Sequence, residues 1–444
     1  MSMQFAQLDY YFRLGVAGLG RNRLLTGLMV LAIGLGIGAF MTTYNLYYMM
    51  SSDPIPAASD RLYNLRLDIT PAGDDGYDTV RGDNLPPLMS WRDSRALLDA
   101  GMAEAQTAHY RTWVTLKPDR PDVRAGIELT RAASTDFFGM YRVPFLHGSG
   151  WSQAQEDNRE RVAVIEKALS ERVFGTADSV GETLTINDEP FRIVGVLDGW
   201  QPTPRFHDLV NGPFRDNEQL YIPFSLVEPM ELPVSGQFLC PENPESGFGG
   251  MLRSNCNWIN YWVELPDASA RASFEHWLEG YIASEHQRGR FQNSQQYRLH
   301  DVNAWLKAMN VVGEDTPMLV AAAFLFLMVC LINTVSLLLA KFLARTKELG
   351  IRRALGASRG AIFAQHMAEC VVLGMVGAAF GLAMTWAGLR ALDALYSDLS
   401  RLVTLSWPVV GLTIVAAVGS AIAVGIYPAW RASRIQPAAQ IRAA

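Results

Sequence analysis

Hydrophobic residues along this chain are bunched rather than spread. Four apolar stretches, residues 24–49, 318–340, 362–389 and 409–427, are each long enough to cross about 30 Å of hydrocarbon as a helix. The first differs from a cleaved leader. Its apolar run is longer than an ordinary leader core, and the nearest small-x-small site, Ala57-Ala58-Ser59, lies well beyond it. It therefore reads as an uncleaved anchor. Ahead of it, Phe5, Leu8, Phe12, Val16 and Leu19 share one stripe at helical spacing with Arg13 opposite. That pattern fits an amphipathic helix on the membrane surface, or a plain N-terminal extension of the first span.

Between the first and second apolar stretches the pattern changes to short alternating runs. Residues 61–69 place Leu65, Leu67 and Ile69 at every second position, and residues 161–165 form a buried-strand run followed by a helical stretch to Phe174. Residues 182–186 and 191–196 flank Asn187-Asp188, a hairpin signal. Another strand is predicted at 261–265, and Pro266-Asp267 opens a helix with Phe274, Trp277, Leu278, Tyr281 and Ile282 on one face. Strands mixed with helices predict an α/β or α+β domain. Residues 234–257 are rich in Gly, Pro and Ser and read as an inserted loop. Val302, Trp305, Leu306, Met309 and Val312 form a helical stripe leading into the second apolar stretch. It fits a stalk continuing the membrane helix outward, and equally a helix packed on the domain's own core.

Charge sharpens the division. Residues 51–317 hold 39 of the 44 acidic and 24 of the 38 basic residues, a net charge of −15, while the remainder carries 14 basic and 5 acidic residues, or +9. Basic residues gather at three places: Arg13, Arg21 and Arg23; Lys341, Arg345, Lys347, Arg352, Arg353 and Arg359; and Arg431, Arg434 and Arg442. By the positive-inside rule all three are cytoplasmic. The expected layout is a cytoplasmic segment 1–23, spans at 24–49, 318–340, 362–389 and 409–427, an exterior domain with stalk at 50–317, a cytoplasmic loop at 341–361, a short exterior loop at 390–408 and a cytoplasmic tail at 428–444. Cys330 and Cys370 fall in apolar helices and read as small hydrophobes. Cys240 and Cys256 fall in the exterior block, where an oxidising compartment permits a disulfide; two free thiols in a Gly-rich loop are the alternative.

The loop at 345–358 is the most informative segment. A short basic helix can run to Leu355, with Gly356 closing it in a left-handed conformation and Ser358 capping the third span. Glu348-Leu-Gly-Ile-Arg-Arg-Ala-Leu-Gly-Ala357 is similar to the E-I-G-I-R-x-A-x-G-A signature of FtsX-like permeases. Ile332-Asn333 matches that family's preceding M-N element, and Tyr427-Pro-Ala-Trp-Arg-Ala-Ser-Arg-Ile-Gln-Pro437 matches its terminal pattern. The exterior block resembles the MacB periplasmic core at Thr135-Asp-Phe-Phe138, Val162-Ala-Val-Ile165, Phe174-Gly175, Phe191-Arg-Ile-Val-Gly-Val196 and Tyr221-Ile-Pro-Phe224. The resemblance covers nearly the whole chain. It implies a bacterial inner-membrane ABC permease that dimerises with a second FtsX-like permease, as a homodimer or heterodimer. It also implies that Arg345, Lys347, Glu348, Gly350, Arg352, Arg353 and Gly356 form an ATPase-coupling helix.

Unlike the exporter that names the family, this sequence holds no G-x-x-x-x-G-K-[ST] phosphate loop, so ATP and Mg2+ are expected in a separate ABC ATPase subunit and no cofactor in this chain. Catalytic and metal motifs are missing: His276, His286 and His300 lack ligand spacing, and His147-Gly-Ser-Gly150 is not a nucleophile elbow. The acidic exterior disfavours nucleic acid. Gly34/Gly38 and Gly377/Gly381 are small-xxx-small pairs that permit close helix contact. Glu369 and Asn333 are polar residues at similar distances from the cytoplasmic loop, and are expected to pair across the two spans; the alternative is a protonated Glu369 or one reaching the inner headgroups. The expected fold is thus four transmembrane helices plus an α/β extracytoplasmic domain. The expected role is to relay ATP-driven motion outward for export, with a periplasmic adaptor as a further candidate partner. Alternatives are lipoprotein release, regulation of a cell-wall hydrolase, or an ATPase-independent sensor or scaffold.

Overall fold

A computed structural model describes residues 13–434 apart from 14, 17, 21, 69–84, 119, 121–122, 294–295, 396–406 and the Lys347 side chain. The chain separates into two units, Ser51–Val312 and the flanking segments Met1–Met50 and Gly313–Ala444 taken together. A long helix, α1 (Arg23–Ser51), precedes the polar unit. That unit begins with β1 (Leu62–Leu67), β2 (Met89–Ser90), α2 (Trp91–Ala100), β3 (Ala105–Lys117) and β4 (Gly126–Ala133). Next come β5 (Phe145–Gly148), β6 (Val162–Glu166), α3 (Lys167–Phe174), β7 (Thr183–Ile186), β8 (Glu189–Leu197) and β9 (Leu220–Pro223). It ends with β10 (Asn257–Glu264), α4 (Ala268–Gln287), β11 (Tyr297–Asp301) and α5 (Val302–Ala308). The strands join in the order β11-β1-β10-β3-β4-β9-β6-β8-β5, with β2 on β10 and β7 on both β3 and β8. Pairs β4–β9 and β6–β8 are parallel within an otherwise antiparallel sheet.

Local chemistry explains these elements. β6 is buried at all five positions, which is why its sequence is a continuous apolar run instead of an alternating one. Asn187 and Asp188 both take positive φ, +48° and +67°, as the two-residue turn between β7 and β8 requires. Asp267 caps α4 by accepting from the Ala270 amide at 2.8 Å, and Phe274, Leu278 and Ile282 are the buried face of that helix. The 234–257 segment is less loop-like than its composition predicts. It contains a helical turn at Phe248–Arg253, its ends meet in a Leu239–Asn257 bridge and a Cys240–Cys256 disulfide, and Leu252 and Cys256 enter the main core.

The stalk reading of the 302–312 stripe is overturned. α5 ends at Ala308, Asn310 has φ +50°, and helix resumes only at Thr316. Val302 and Trp305 are buried in the polar unit, where Trp305 Nε1 donates to the Phe206 carbonyl at 3.2 Å and the Arg66 guanidinium lies over its ring. A helical stripe reports burial on one side without saying against what, and here the domain core takes it.

The apolar unit comprises α1, α6 (Thr316–Leu343), α7 (Thr346–Ala354), α8 (Arg359–Leu395) and α9 (Trp407–Ser433). Of these α1, α6, α8 and α9 are long and apolar enough to cross a membrane. α8, with 37 residues, rises about 55 Å and so outruns the hydrocarbon. Both glycine pairs are used within the chain: a Cβ on Gly377 or Gly381 would lie 2.8 Å and 3.0 Å from the Ile33 and Ile37 side chains, and Gly34 and Gly38 face Phe380 and Met384. They seat α1 on α8. Residues 13, 15, 16 and 18–20 are helical, while most of the proposed amphipathic stripe, including Phe5, Leu8 and Phe12, lies outside the described residues. So do Ile69, Pro437, Arg442 and most of the 390–408 loop.

One feature of the polar unit had no counterpart in the sequence reading. Arg131 of β4 is fully buried and contacts Asp208 and Glu218, each at 2.7 Å, while Arg205 reaches the same two carboxylates at 3.4 Å. Asn211 and Asn260 donate to Asp208 Oδ1 at 2.8 and 3.2 Å. His109 Nδ1 lies 2.8 Å from Arg131 Nη1, which can only donate, so the ring is neutral with its proton on Nε2 facing the Tyr141 hydroxyl at 3.1 Å. His207 lies among Trp200, Phe137, Tyr141 and Phe206, and neither of its ring nitrogens has a hydrogen-bond partner among the described residues. Burial, reinforced by Arg131 and Arg205, holds both imidazoles well below their ordinary pKa. Burial alone would raise Asp208, but the two guanidiniums outweigh it and keep the carboxyl far below the usual range.

Two expectations follow from this unit. Replacing Cys240 and Cys256 together by alanine should lower stability by about 3 kcal/mol, the chain-entropy value for a loop of this size, read by chemical unfolding of the full chain in detergent. Because the unfolded chain binds protons at histidine near pH 6.5 and the folded chain does not, stability should fall as pH drops below about 6.5, by up to about 1.4 kcal/mol per unit per histidine. Asp208 should add to the loss only below about pH 4. Melting temperatures at pH 7.5 and 5.5 check this, and His207→Phe, which suits the aromatic cage, should flatten the difference.

Candidate coupling site

The basic loop between the second and third spans folds as the short helix α7, and its C-terminus shows why. The Ala357 amide donates to the Arg352 carbonyl at 3.0 Å and the Gly356 amide to Arg353 at 3.1 Å, with Gly356 at φ +101°, a Schellman closure that favours glycine. Ser358 Oγ then accepts from the Ala361 amide at 3.1 Å and starts α8. Glu348 and Arg352 pair at 2.8 Å one turn apart, and Arg352 also donates to Gln365 Oε1 of α8 at 3.0 Å. Leu349 is buried in the helical bundle, whereas Ile351 and Leu355 are 63% and 83% exposed. α7 is therefore pinned on one side and presents apolar residues on the other. Gly350 and Arg353 belong to the same helix; the Lys347 side chain lies outside the described residues.

Beside α7 lies a buried ionic cluster. Glu369 of α8 is contacted by Lys341 Nζ at 2.6 Å and by Arg345 Nη1 at 3.4 Å. Lys341 Nζ also donates to Thr26 Oγ1 of α1 at 3.2 Å, and Arg345 Nη2 donates to the Gly18 carbonyl at 3.1 Å. A Cβ on Gly18 would come within 2.8 Å of the Glu369 carboxyl, so glycine is what allows the N-terminal segment to approach. His366, one turn before Glu369, stacks on Phe342 with ring centroids 4.0 Å apart. One carboxylate thus ties together α6, the start of α7, α8 and the N-terminal segment.

Asn333 is not the partner of Glu369. It is exposed on α6, while Cys330, Thr334 and Lys341 form the buried side of that helix. Equal counting from the loop failed because the two helices do not begin at one depth. Lys341 is two residues from the end of α6 and Glu369 ten from the start of α8. At 1.5 Å per residue, α8 therefore starts about 12 Å beyond the end of α6. Lys341 and Arg345 were read as positive-inside charges only; a lone acidic residue one span away from two basic ones was the available signal. The charge network around Arg131 had none, since residues 109, 131, 208 and 218 meet only in the folded sheet. Among the described residues no group of three or more His, Cys, Asp or Glu is placed to hold a metal.

A mixed α/β domain inserted between the first and second of four membrane-length helices, with a capped basic helix between the second and third, defines a membrane permease. Residues 26–280 match the MacB-like periplasmic core domain and residues 320–437 the FtsX-like permease C-terminal domain. The chain belongs to the MacB/FtsX-type permeases of ABC transporters. It is 27% identical over 309 residues to the pyoverdine export ATP-binding/permease protein PvdT of Pseudomonas syringae pv. syringae (strain B728a), covering 69% of this chain and 41% of that protein. It is 25% identical over 282 residues to the uncharacterized ABC transporter permease YknZ of Bacillus subtilis (strain 168), covering 64% and 62%. The chain thus spans less than two thirds of these relatives. The periplasmic region of MacB from Actinobacillus actinomycetemcomitans aligns with 56% of this chain and 92% of its own at 13% identity and a TM-score of 0.36, too low to bear on the fold.

If Glu369 neutralises Lys341, whose side chain is 1% exposed, then Glu369→Ala should destabilise the helical unit by about 3–5 kcal/mol, because a buried cation loses its counter-charge. Thermal unfolding in detergent measures this. The double variant Glu369→Leu with Lys341→Met should recover most of the loss.

Proposed function

We propose that this chain is the mechanical half of an ABC transporter of the bacterial inner membrane. An ATPase carried on a separate polypeptide docks on α7, and its ATP-driven closure is relayed through the spans to the polar domain outside the membrane. The observation that carries this reading is the double character of α7: Ile351 and Leu355 are exposed while Leu349, Arg352 and Arg345 are anchored to the bundle. A push on the exposed side is then delivered to α8 and the N-terminal segment instead of being absorbed by a loose loop. The basic residues around α7 favour a cytoplasmic position for it, and the Cys240–Cys256 disulfide fits an oxidising exterior for the polar domain. With a second permease subunit the chain forms the membrane part of the transporter. Relatives named for pyoverdine and macrolide export favour outward movement of a compound as the work performed.

The ATPase should co-purify with the chain from native membranes and be lost on Ile351→Asp with Leu355→Asp. Glu348→Ala with Arg352→Ala should leave insertion intact yet reduce ATP hydrolysis of the assembly to that of the ATPase alone. Unaltered hydrolysis and transport in that folded variant would overturn the assignment of α7.

A further inference from the structure

α6 has the largest unoccupied surface of the four long helices: 17% of its most apolar 18-residue window is buried, against 33–44% for the others. Most of that surface is hydrocarbon suited to lipid. Asn333 is the exception. It lies about 10 Å inside the end of the apolar run at Ala340, its side chain is exposed, and it has no hydrogen-bond partner among the described residues. Ala322, Phe326, Val329, Ser336 and Ala340 share its stripe at helical spacing, and all are exposed. An amide facing lipid at that depth costs free energy until both its donor and its acceptor are met.

We propose that this stripe of α6 is the contact with a second copy of the same chain, and that the two Asn333 side chains pair across a two-fold axis. The amide carries its own complement: each carbonyl oxygen accepts from the NH2 group of the other, so one residue type satisfies both positions of an isologous contact. A headgroup or lipid tail offers no such match at that depth. Ser336 and Ala340, small residues on the side towards the end of the helix, allow the backbones to approach there. Gly34/Gly38 and Gly377/Gly381 cannot serve this purpose, being occupied by the α1–α8 contact. The inference deepens the permease reading by naming the partner as identical and the face as that of Asn333.

The test is disulfide cross-linking of the full chain in native membranes, on a background with Cys330→Ala and Cys370→Ala. Val329→Cys, Asn333→Cys and Ser336→Cys should each give a dimer containing this chain alone, and Met328→Cys and Ile332→Cys should not. Strongest cross-linking at 328 or 332 would overturn the face while leaving the dimer. A cross-link from 333 to a different polypeptide would overturn the identical partner. Purified chain that stays monomeric at every concentration, with no cross-link at any position, would overturn the dimer as well. In detergent, Asn333→Leu should raise the monomer–dimer Kd roughly three- to ten-fold and Asn333→Gln should restore it; an unchanged Kd for Asn333→Leu would show that the amides do not pair.

Discussion

The helical unit is organised around one buried carboxylate. Glu369 lies in a span-length helix, where an unpaired charge is costly, and the chain answers with two cations from outside that helix. Those cations come from the end of α6 and the start of α7, so neutralising one charge also fixes the position of the loop between them. Thr26 and the Gly18 carbonyl complete the donors' hydrogen bonding and bring α1 and the N-terminal segment into the same cluster. An exposed ion pair contributes little, because water competes for both partners. Here the partners are buried, and removing one strands the others.

The polar unit uses the same physics for a different end. Arg131, Arg205, Asp208 and Glu218 are two cations and two anions closed away from water, and they join β4 to the segments that precede β9. Such networks seldom add more stability than apolar packing of the same volume would, but they tolerate little rearrangement once formed. A domain that must transmit displacement has use for that property, and a fully apolar core would not supply it in the same way.

Between these two centres, the glycine contacts and the capped helix set geometry more than energy. Gly377 and Gly381 let α8 lie against Ile33 and Ile37 of α1, which makes these spans a close pair. The Schellman closure at Gly356 turns the chain sharply, so that α7 remains a discrete helix between two longer ones and does not continue α6 or α8.

The sequence by itself determined the four long apolar helices, the mixed domain between the first two, the hairpin at Asn187-Asp188 and the ends of α7. Each is written locally, in apolar run length, alternation, turn chemistry and capping residues that act over a few positions. It also pointed to Glu369 as exceptional, since an acid in an apolar run is conspicuous. What Glu369 meets was decided by tertiary structure: partner choice depends on where α8 begins relative to the end of α6, an offset that no count from the loop contains. Likewise the stripe at Val302–Trp305 announced a buried face, and only the folded domain settled that its own core covers it. The Arg131 network was illegible for the same reason, because residues up to 109 positions apart are brought together by sheet order, and sheet order is a property of the whole chain.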